Sequence, residues 1–358
     1  MIELLKPEEK AVFSLRKLYQ AYGYSRFKMG KFEPYDLYMQ NKNFLISDGV
    51  ITFTDTDGTL MAMKPDVTLS IVKNYRPDTS PIQKVYYNET VYRVAGDAKC
   101  FREIMQTGLE CMGHVGLYEI TEVILLAANS LHSISEHYIL DLSHLQIITD
   151  LLEPYQLSFQ QRDMVLQAIR EKNVDSLSDY PTLQKLISLS GPIDIILKQL
   201  PTLCSDEKSR DAVAQLQILS DALKKQGLSD HVHIDFSLLN DMNYYNGFIF
   251  RGYVEGIPTS ILSGGQYDQL MEKMEKPAKG IGFAIYLDQL ERMNRRTSDV
   301  DVDAVVLYDN QSDILCLTEI ARTITDSGES VLLLQELPPT LRYGRLLHYE
   351  KGRLKNDG

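Results

Sequence analysis

The sequence predicts an α+β fold, and three observations carry that prediction. Val- and Tyr-rich runs at Lys84–Val94 and Met105–Gly113 flank a polar segment, Ala95-Gly96-Asp97-Ala98-Lys99, and so read as a long-looped antiparallel hairpin. Further strand-like runs at His231–Leu239, Phe248–Val254 and Ser260–Leu262 follow a long helical stretch rather than alternating with helices. Helical periodicity dominates from about 145 to 228, broken at Pro181, at Gly191-Pro192 and at Pro201. Strands gathered into one antiparallel sheet, with the helices segregated around it, make an α+β architecture.

Taken in order, Pro7–Tyr22 is an amphipathic helix, with Ala11, Phe13, Leu15, Leu18 and Tyr19 near helical spacing and Gly23 as its stop. Short strands follow at Ser25–Lys28 and Val50–Thr54, and Asp57-Gly58 supplies turn chemistry before Leu60–Met63. Asp66 can cap a helix over Val67–Tyr75. A helix at Tyr118–Ser133 and a strand at Tyr138–Leu142 lead into the helical insertion. Gly264-Gly265 begins a turn, and Gly280–Arg292 is a strand running into a helix. Arg295–Ser298 reads as a linker, dividing a core of 1–296 from a short C-terminal α/β segment at 297–358. That segment is one βαβ-type unit, Ala304–Tyr308, a helix through Ile320 and Ser330–Leu334, with a polar tail lacking periodicity.

Composition excludes several classes. Hydrophobic residues at 44% and charged residues at 24% suit a globular chain with a substantial core. A net charge of −12 argues against a broad phosphate-gripping surface, so tRNA is not an expected partner. Four scattered cysteines form no CxxC motif, the N-terminus lacks signal-peptide character, and no apolar run approaches bilayer length. A cytoplasmic protein with no membrane association is expected. With neither a P-loop nor GxGxxG, no cofactor is expected. His231, His233 and Asp235 share a strand face that reads as solvated or interfacial rather than metal-binding.

One strand carries the candidate binding chemistry. Gln106, Gly108 and Glu110 project from the same face because side chains alternate, and glycine between two polar residues leaves a floor for a small ligand. Glu110, flanked by Leu109, Cys111 and Met112, is expected to be partly buried, and a buried carboxylate needs a partner such as an imidazole N–H. Three other readings stay open. Asp66 and Thr68 also fit a helix cap and its neighbour, Tyr244 and Tyr245 fit strand core packing, and Glu110 fits a salt-bridged strand residue.

Six fragments, in this order, resemble a known family: Met63-Lys64-Pro65-Asp66-Val67-Thr68; Val91-Tyr92-Arg93 with Phe101-Arg102-Glu103; Gln106–Glu110; Tyr244-Tyr245-Asn246-Gly247; Ser263-Gly264-Gly265-Gln266-Tyr267-Asp268; and Gly282-Phe283-Ala284-Ile285. Over residues 5–295 the chain resembles the class II aminoacyl-tRNA synthetase core. It is most similar to histidyl-tRNA synthetase and its paralogues, the regulatory subunits of short-form ATP phosphoribosyltransferase. The resemblance implies a histidine site at Asp66, Thr68, Arg93, Gln106, Glu110, Tyr244 and Tyr245. Asp66, Thr68 and Gln106 would hold the amino group, and Glu110 and Tyr245 the imidazole. Arg93 and Arg102 match arginines of the second class II motif. Two catalytic arginine positions carry amides instead, Asn240 and Gln289, while Cys100 replaces a further loop arginine and nothing in Arg251's position brings it in. Gly30 stands at the proline position of the first motif, and the short C-terminal segment is too small for an anticodon-binding domain.

The resemblance therefore implies a non-catalytic regulatory subunit. Its expected partners are the ATP phosphoribosyltransferase catalytic subunit and L-histidine, within a hetero-oligomer built on a homodimer. The rivals are a divergent histidyl-tRNA synthetase and a free-standing histidine-binding regulator.

Overall fold

The computed structural model describes residues 6–45, 49–78, 80–95, 100–204, 206–239, 244–292, 300–350 and 353–356. Asn240, the loop 96–99 and the linker 295–298 lie outside the described residues. The chain divides into two compact units, Met1–Met293 and Asn294–Gly358.

In the first unit, α1 (Pro7–Ala21) leads through β1 (Ser25–Arg26) and β2 (Phe32–Pro34) to α2 (Tyr35–Gln40), β3 (Thr52–Thr54), β4 (Leu60–Met63) and α3 (Thr68–Asn74). The long hairpin is β5 (Ile82–Ala95) and β6 (Cys100–Gly113), paired antiparallel in unbroken register from Ile82↔Gly113 to Ala95↔Cys100. After α4 (Leu117–Ile134) and β7 (Tyr138–His144) comes the insertion: α5 (Leu145–Leu152), α6 (Phe159–Arg170), α7 (Pro181–Ser188), β8 (Ser190–Pro192), α8 (Ile193–Gln199) and α9 (Glu207–Lys225). The unit closes with β9 (Val232–Asp235), β10 (Phe248–Val254), β11 (Leu262–Gln266), α10 (Asp268–Lys273), β12 (Lys279–Tyr286) and a 3-10 turn at Leu287–Arg292.

Among the described residues, nine of these strands form one sheet in the order β1-β5-β6-β12-β11-β10-β7-β9-β8, antiparallel except at β1/β5 and β7/β9. Strands β2, β4 and β3 form a separate three-stranded sheet. This is the α+β class, with helices around a mostly antiparallel sheet.

Alternation gives the large sheet two chemically different faces. Leu109 and Cys111 on β6, Phe283 and Ile285 on β12, Phe250 on β10 and Leu142 on β7 are buried in the main core with α1 and α4. There Tyr19 of α1 meets Phe283 edge-on at 6.0 Å and shares a 3.1 Å hydrogen bond with Ser130 of α4. The opposite face carries Gln106, Gly108 and Glu110, then Gly282 and Ala284, Ser263 and Arg251 on successive strands. A second core, built from α3, β5, Tyr38, Tyr267 and Leu270, lies beside that polar face.

The insertion is helical because its caps are local: Ser158 and Gln161 form a capping box on α6, and Asp206 accepts from Ser209 N–H at 3.0 Å to start α9. Gly191-Pro192 breaks the helices and also supplies a short strand that pairs with β9 at the sheet edge. Two local expectations need correction. Gly264-Gly265 is not a turn but the centre of β11, where Gly264 pairs with Phe283 and Gly265 with Gly282. In the second unit, β13 (Val302–Leu307), α11 (Ile314–Asp326) and β14 (Val331–Leu334) are followed by a hairpin, β15 (Tyr343–Glu350) and β16 (Arg353–Asn356). The polar tail conceals these strands because only Leu347 and Tyr349 of β15 are buried, a two-residue alternation too brief to stand out.

Candidate functional site

The polar face of the large sheet ends in a cavity of about 390 Å³. Asp66, Thr68, Arg93, Gln106, Glu110, Tyr244 and Tyr245 all line it.

The acidic wall is assembled first by backbone. Tyr92 N–H donates to Lys64 O at 3.0 Å and Arg93 Nε donates to Pro65 O at 2.6 Å, fastening the Lys64-Pro65-Asp66 segment to β5. Lys64 is almost wholly buried and pairs with Glu89 of the same strand. Asp66 Oδ1 then accepts from Leu69 N–H at 2.8 Å in the first turn of α3, while Arg93 Nη2 stands 3.7 Å from Oδ2. Asp66 is therefore helix cap and cavity wall at once. Burial pushes its carboxyl upward, against the opposing pull of Arg93 and the amides of Leu69 and Thr68.

Glu110 is the deepest group, 2% exposed. Its Oε1 accepts from Thr68 Oγ at 2.8 Å, whereas Oε2 is buried without a hydrogen-bond partner. Burial raises its pKa to about 8, offset in part by the nearby Tyr267 hydroxyl and by Thr68. The Tyr267 hydroxyl is itself buried and stops short of hydrogen-bond geometry. This deep carboxylate is not salt-bridged, so the ion-paired reading of Glu110 fails. Gly282, opposite it on β12, leaves the room: a Cβ there would come within 1.8 Å of Glu110 Oε2.

The bare floor expected at Gly108 is filled. Gly108 pairs with Tyr87 on β5, and an added Cβ would lie 2.6 Å from the Tyr87 hydroxyl. Glycine makes room for a tyrosine, and Tyr87 lines the cavity in its place. Gln106, also 2% exposed, keeps its Nε2 buried and unpartnered.

Tyr244 and Tyr245 are not on a strand. They sit in the turn before β10, half-buried, with rings edge-to-face at 4.7 Å. Two motifs interlock to hold them. Asn246 Nδ2 donates to Asp268 Oδ2 at 3.1 Å, Asp268 N–H donates to Asn246 Oδ1 at 2.9 Å, and Gln266 Oε1 accepts from Phe248 N–H at 2.7 Å. Tyr87, Tyr267 and Arg251 also line the cavity, none of them among the expected site residues. Arg251 corrects an expectation directly, since it reaches the cavity from β10 in register with Ser263. Gln289 accepts from Thr259 at 3.2 Å and donates to Asp288 at 2.9 Å. Away from this site, His231 stacks on Tyr138 at 4.4 Å, and Asp235 pairs with Lys172 at 2.8 Å.

The cavity thus gathers two buried carboxyl groups with amide, hydroxyl and guanidinium donors. That polarity fits a small molecule bearing both an ammonium and an anionic group. Residues 3–290 match the family model described as histidyl-tRNA synthetase. The chain belongs to that family. Within it, the chain is 27% identical over 290 residues to an ATP phosphoribosyltransferase regulatory subunit of Oceanobacillus iheyensis, covering 77% of this chain and 71% of that one. A solved structure from Bacillus halodurans C, described as an ATP phosphoribosyltransferase regulatory subunit/histidyl-tRNA synthetase, superimposes with TM-score 0.75 at 25% identity, over 96% of this chain and 93% of that one. An ATP phosphoribosyl transferase complex from Thermotoga maritima shares the fold, with TM-score 0.62 at 23% identity, over 77% of this chain and 96% of that one. Among the described residues no helix is long and apolar enough to cross a membrane.

Proposed function

We propose that this member of the histidyl-tRNA synthetase family is a non-catalytic regulatory subunit of ATP phosphoribosyltransferase. It binds histidine, activates the catalytic subunit and transmits feedback inhibition, as a homodimer within a hetero-oligomer. The observation that carries the ligand is Glu110, a buried carboxyl group with one oxygen lacking a hydrogen-bond partner, in the lining of a cavity that also carries donors. An imidazole N–H satisfies that oxygen, while Asp66, Thr68 and Gln106 are placed for the ammonium and backbone of an amino acid. The similarity to proteins named as regulatory subunits supports the partner. Amides at Asn240 and Gln289 support the absence of activation chemistry, because neither can neutralise charge on a phosphate. Feedback then needs a coupling of about 1–3 kcal/mol between the histidine cavity and the catalytic subunit.

The test mixes the purified chain with a short-form catalytic subunit and follows phosphoribosyl transfer with and without histidine. Activation that histidine reverses is expected. Unchanged activity together with no co-elution would overturn the proposal. One observation favours a second reading: Arg93 and Arg251 both line the cavity, so it is not stripped of cations. A divergent histidyl-tRNA synthetase would show histidine-dependent ATP–pyrophosphate exchange at a normal rate; we expect none.

A further inference from the structure

We infer that Arg251 anchors the α-carboxylate of the bound amino acid, so that the cavity selects a whole amino acid rather than an imidazole alone; this rests on the histidine reading above. Asp66 and Glu110 account for an ammonium and an imidazole N–H, but a carboxylate needs donors. Arg93 is committed to Asp66 and to the Pro65 carbonyl. Arg251 stands on the opposite wall of the cavity.

Register places it. Glu110 pairs with Gly282, Gly282 with Gly265, and Gly265 with Ile249, so Arg251 lies three strands across the same face and one two-residue step along it. Strand spacings of about 4.8 Å and a step of about 7 Å put the two Cα atoms roughly 16 Å apart. A glutamate reaching in from one end and the long arginine from the other leave a gap about one amino acid long. Across that gap the face carries the small residues Gly282, Gly265, Ala284 and Ser263, with the Tyr245 ring against Gly265. Ser263 Oγ and the Tyr286 hydroxyl, hydrogen-bonded at 2.8 Å, stand on the same wall as Arg251. The unpartnered Gln106 Nε2 belongs to the row that pairs with Tyr286.

Asp141 of β7 faces Arg251 in register. Arg251 also contacts Tyr253, and with five N–H donors on a planar fork it can hold that neighbour and a carboxylate together. The cavity has the volume for this arrangement, since about 150 Å³ already accommodates a benzene ring and about two and a half times that is present.

The experiment is competition calorimetry on the full chain with L-histidine and with histamine, which lacks the carboxylate. Wild type is expected to prefer histidine. Arg251→Ala should weaken histidine by ~10- to 100-fold and leave histamine unchanged, erasing the preference. Arg251→Lys should retain part of it. Arg251→Gln, which keeps the side-chain length without the charge, replaces the alanine variant if that variant does not fold. Equal weakening of both ligands, or unchanged histidine affinity, would overturn the carboxylate role while leaving the histidine site standing. Wild type that binds no histidine would remove both.

Discussion

Glu110 is costly to the apoprotein, and its pH behaviour should expose that cost. The unfolded carboxyl titrates near 4.5, the folded one near 8. Between those values the native chain holds a proton that the unfolded chain has lost, so stability falls as pH rises through this window and levels off above it. Glu110→Gln removes the titration. Urea midpoints at pH 5, 6.5 and 8 should therefore decline less steeply for the variant than for wild type, and parallel slopes would show that Glu110 does not titrate in that range. For the ligand, Glu110→Ala should abolish histidine binding in calorimetry while the far-ultraviolet spectrum stays native. Unchanged affinity would mean the imidazole sits elsewhere. Gly282→Ala tests the same carboxylate from across the ladder. A methyl 1.8 Å from Oε2 and 2.4 Å from the Leu109 carbonyl has backbone on one side and cannot be absorbed by rotamer change alone. A loss of about 1–3 kcal/mol is expected in thermal unfolding.

At the scale of elements, the Asn246–Asp268 pair latches the Tyr244-Tyr245 turn to the start of α10, and Asp268 Oδ1 also accepts from Gly280 N–H at 3.0 Å. Asn246→Ala should destabilise the protein by ~1–3 kcal/mol and weaken histidine binding without touching the ligand. A normal affinity would show that Tyr245 needs no latch. This latch also marks how far the sequence is legible. Tyr244–Gly247 and Ser263–Asp268 are recognisable as fragments, but their mutual hydrogen bonds join residues about twenty positions apart, which no local pattern encodes. The β5–β6 hairpin and the Gln106/Glu110 face are legible because alternation is local and strong. Tyr87 escapes for the opposite reason, since its role appears only when register sets it opposite Gly108. Arg251 escapes because a charged residue on a strand reads as solvent-facing until the strands beside it are known. Gly264-Gly265 reads as a turn because glycine pairs usually mark one, whereas here they let Tyr245 and Phe283 close on β11.

For the whole molecule, every expected site residue lies in the unit Met1–Met293 and none in Asn294–Gly358. A ligand that binds only the folded first unit stabilises it by mass action, by about 2.7 kcal/mol at a concentration one hundred times Kd. Amides that exchange only on unfolding of that unit should then slow by ~100-fold, the same free energy expressed as a rate. The amides of β6, β11 and β12, whose register frames the cavity, are the ones to follow by hydrogen exchange with and without histidine. Those of β13 and β15 belong to a separate core of Ala304, Val306, Leu317, Ile324, Leu347 and Tyr349, and should exchange at an unchanged rate. Slowing confined to β13 and β15 would place the ligand in the wrong unit. Equal slowing in both would mean that the two cores unfold together, so that ligand binding in the first unit reaches the C-terminal unit through shared stability.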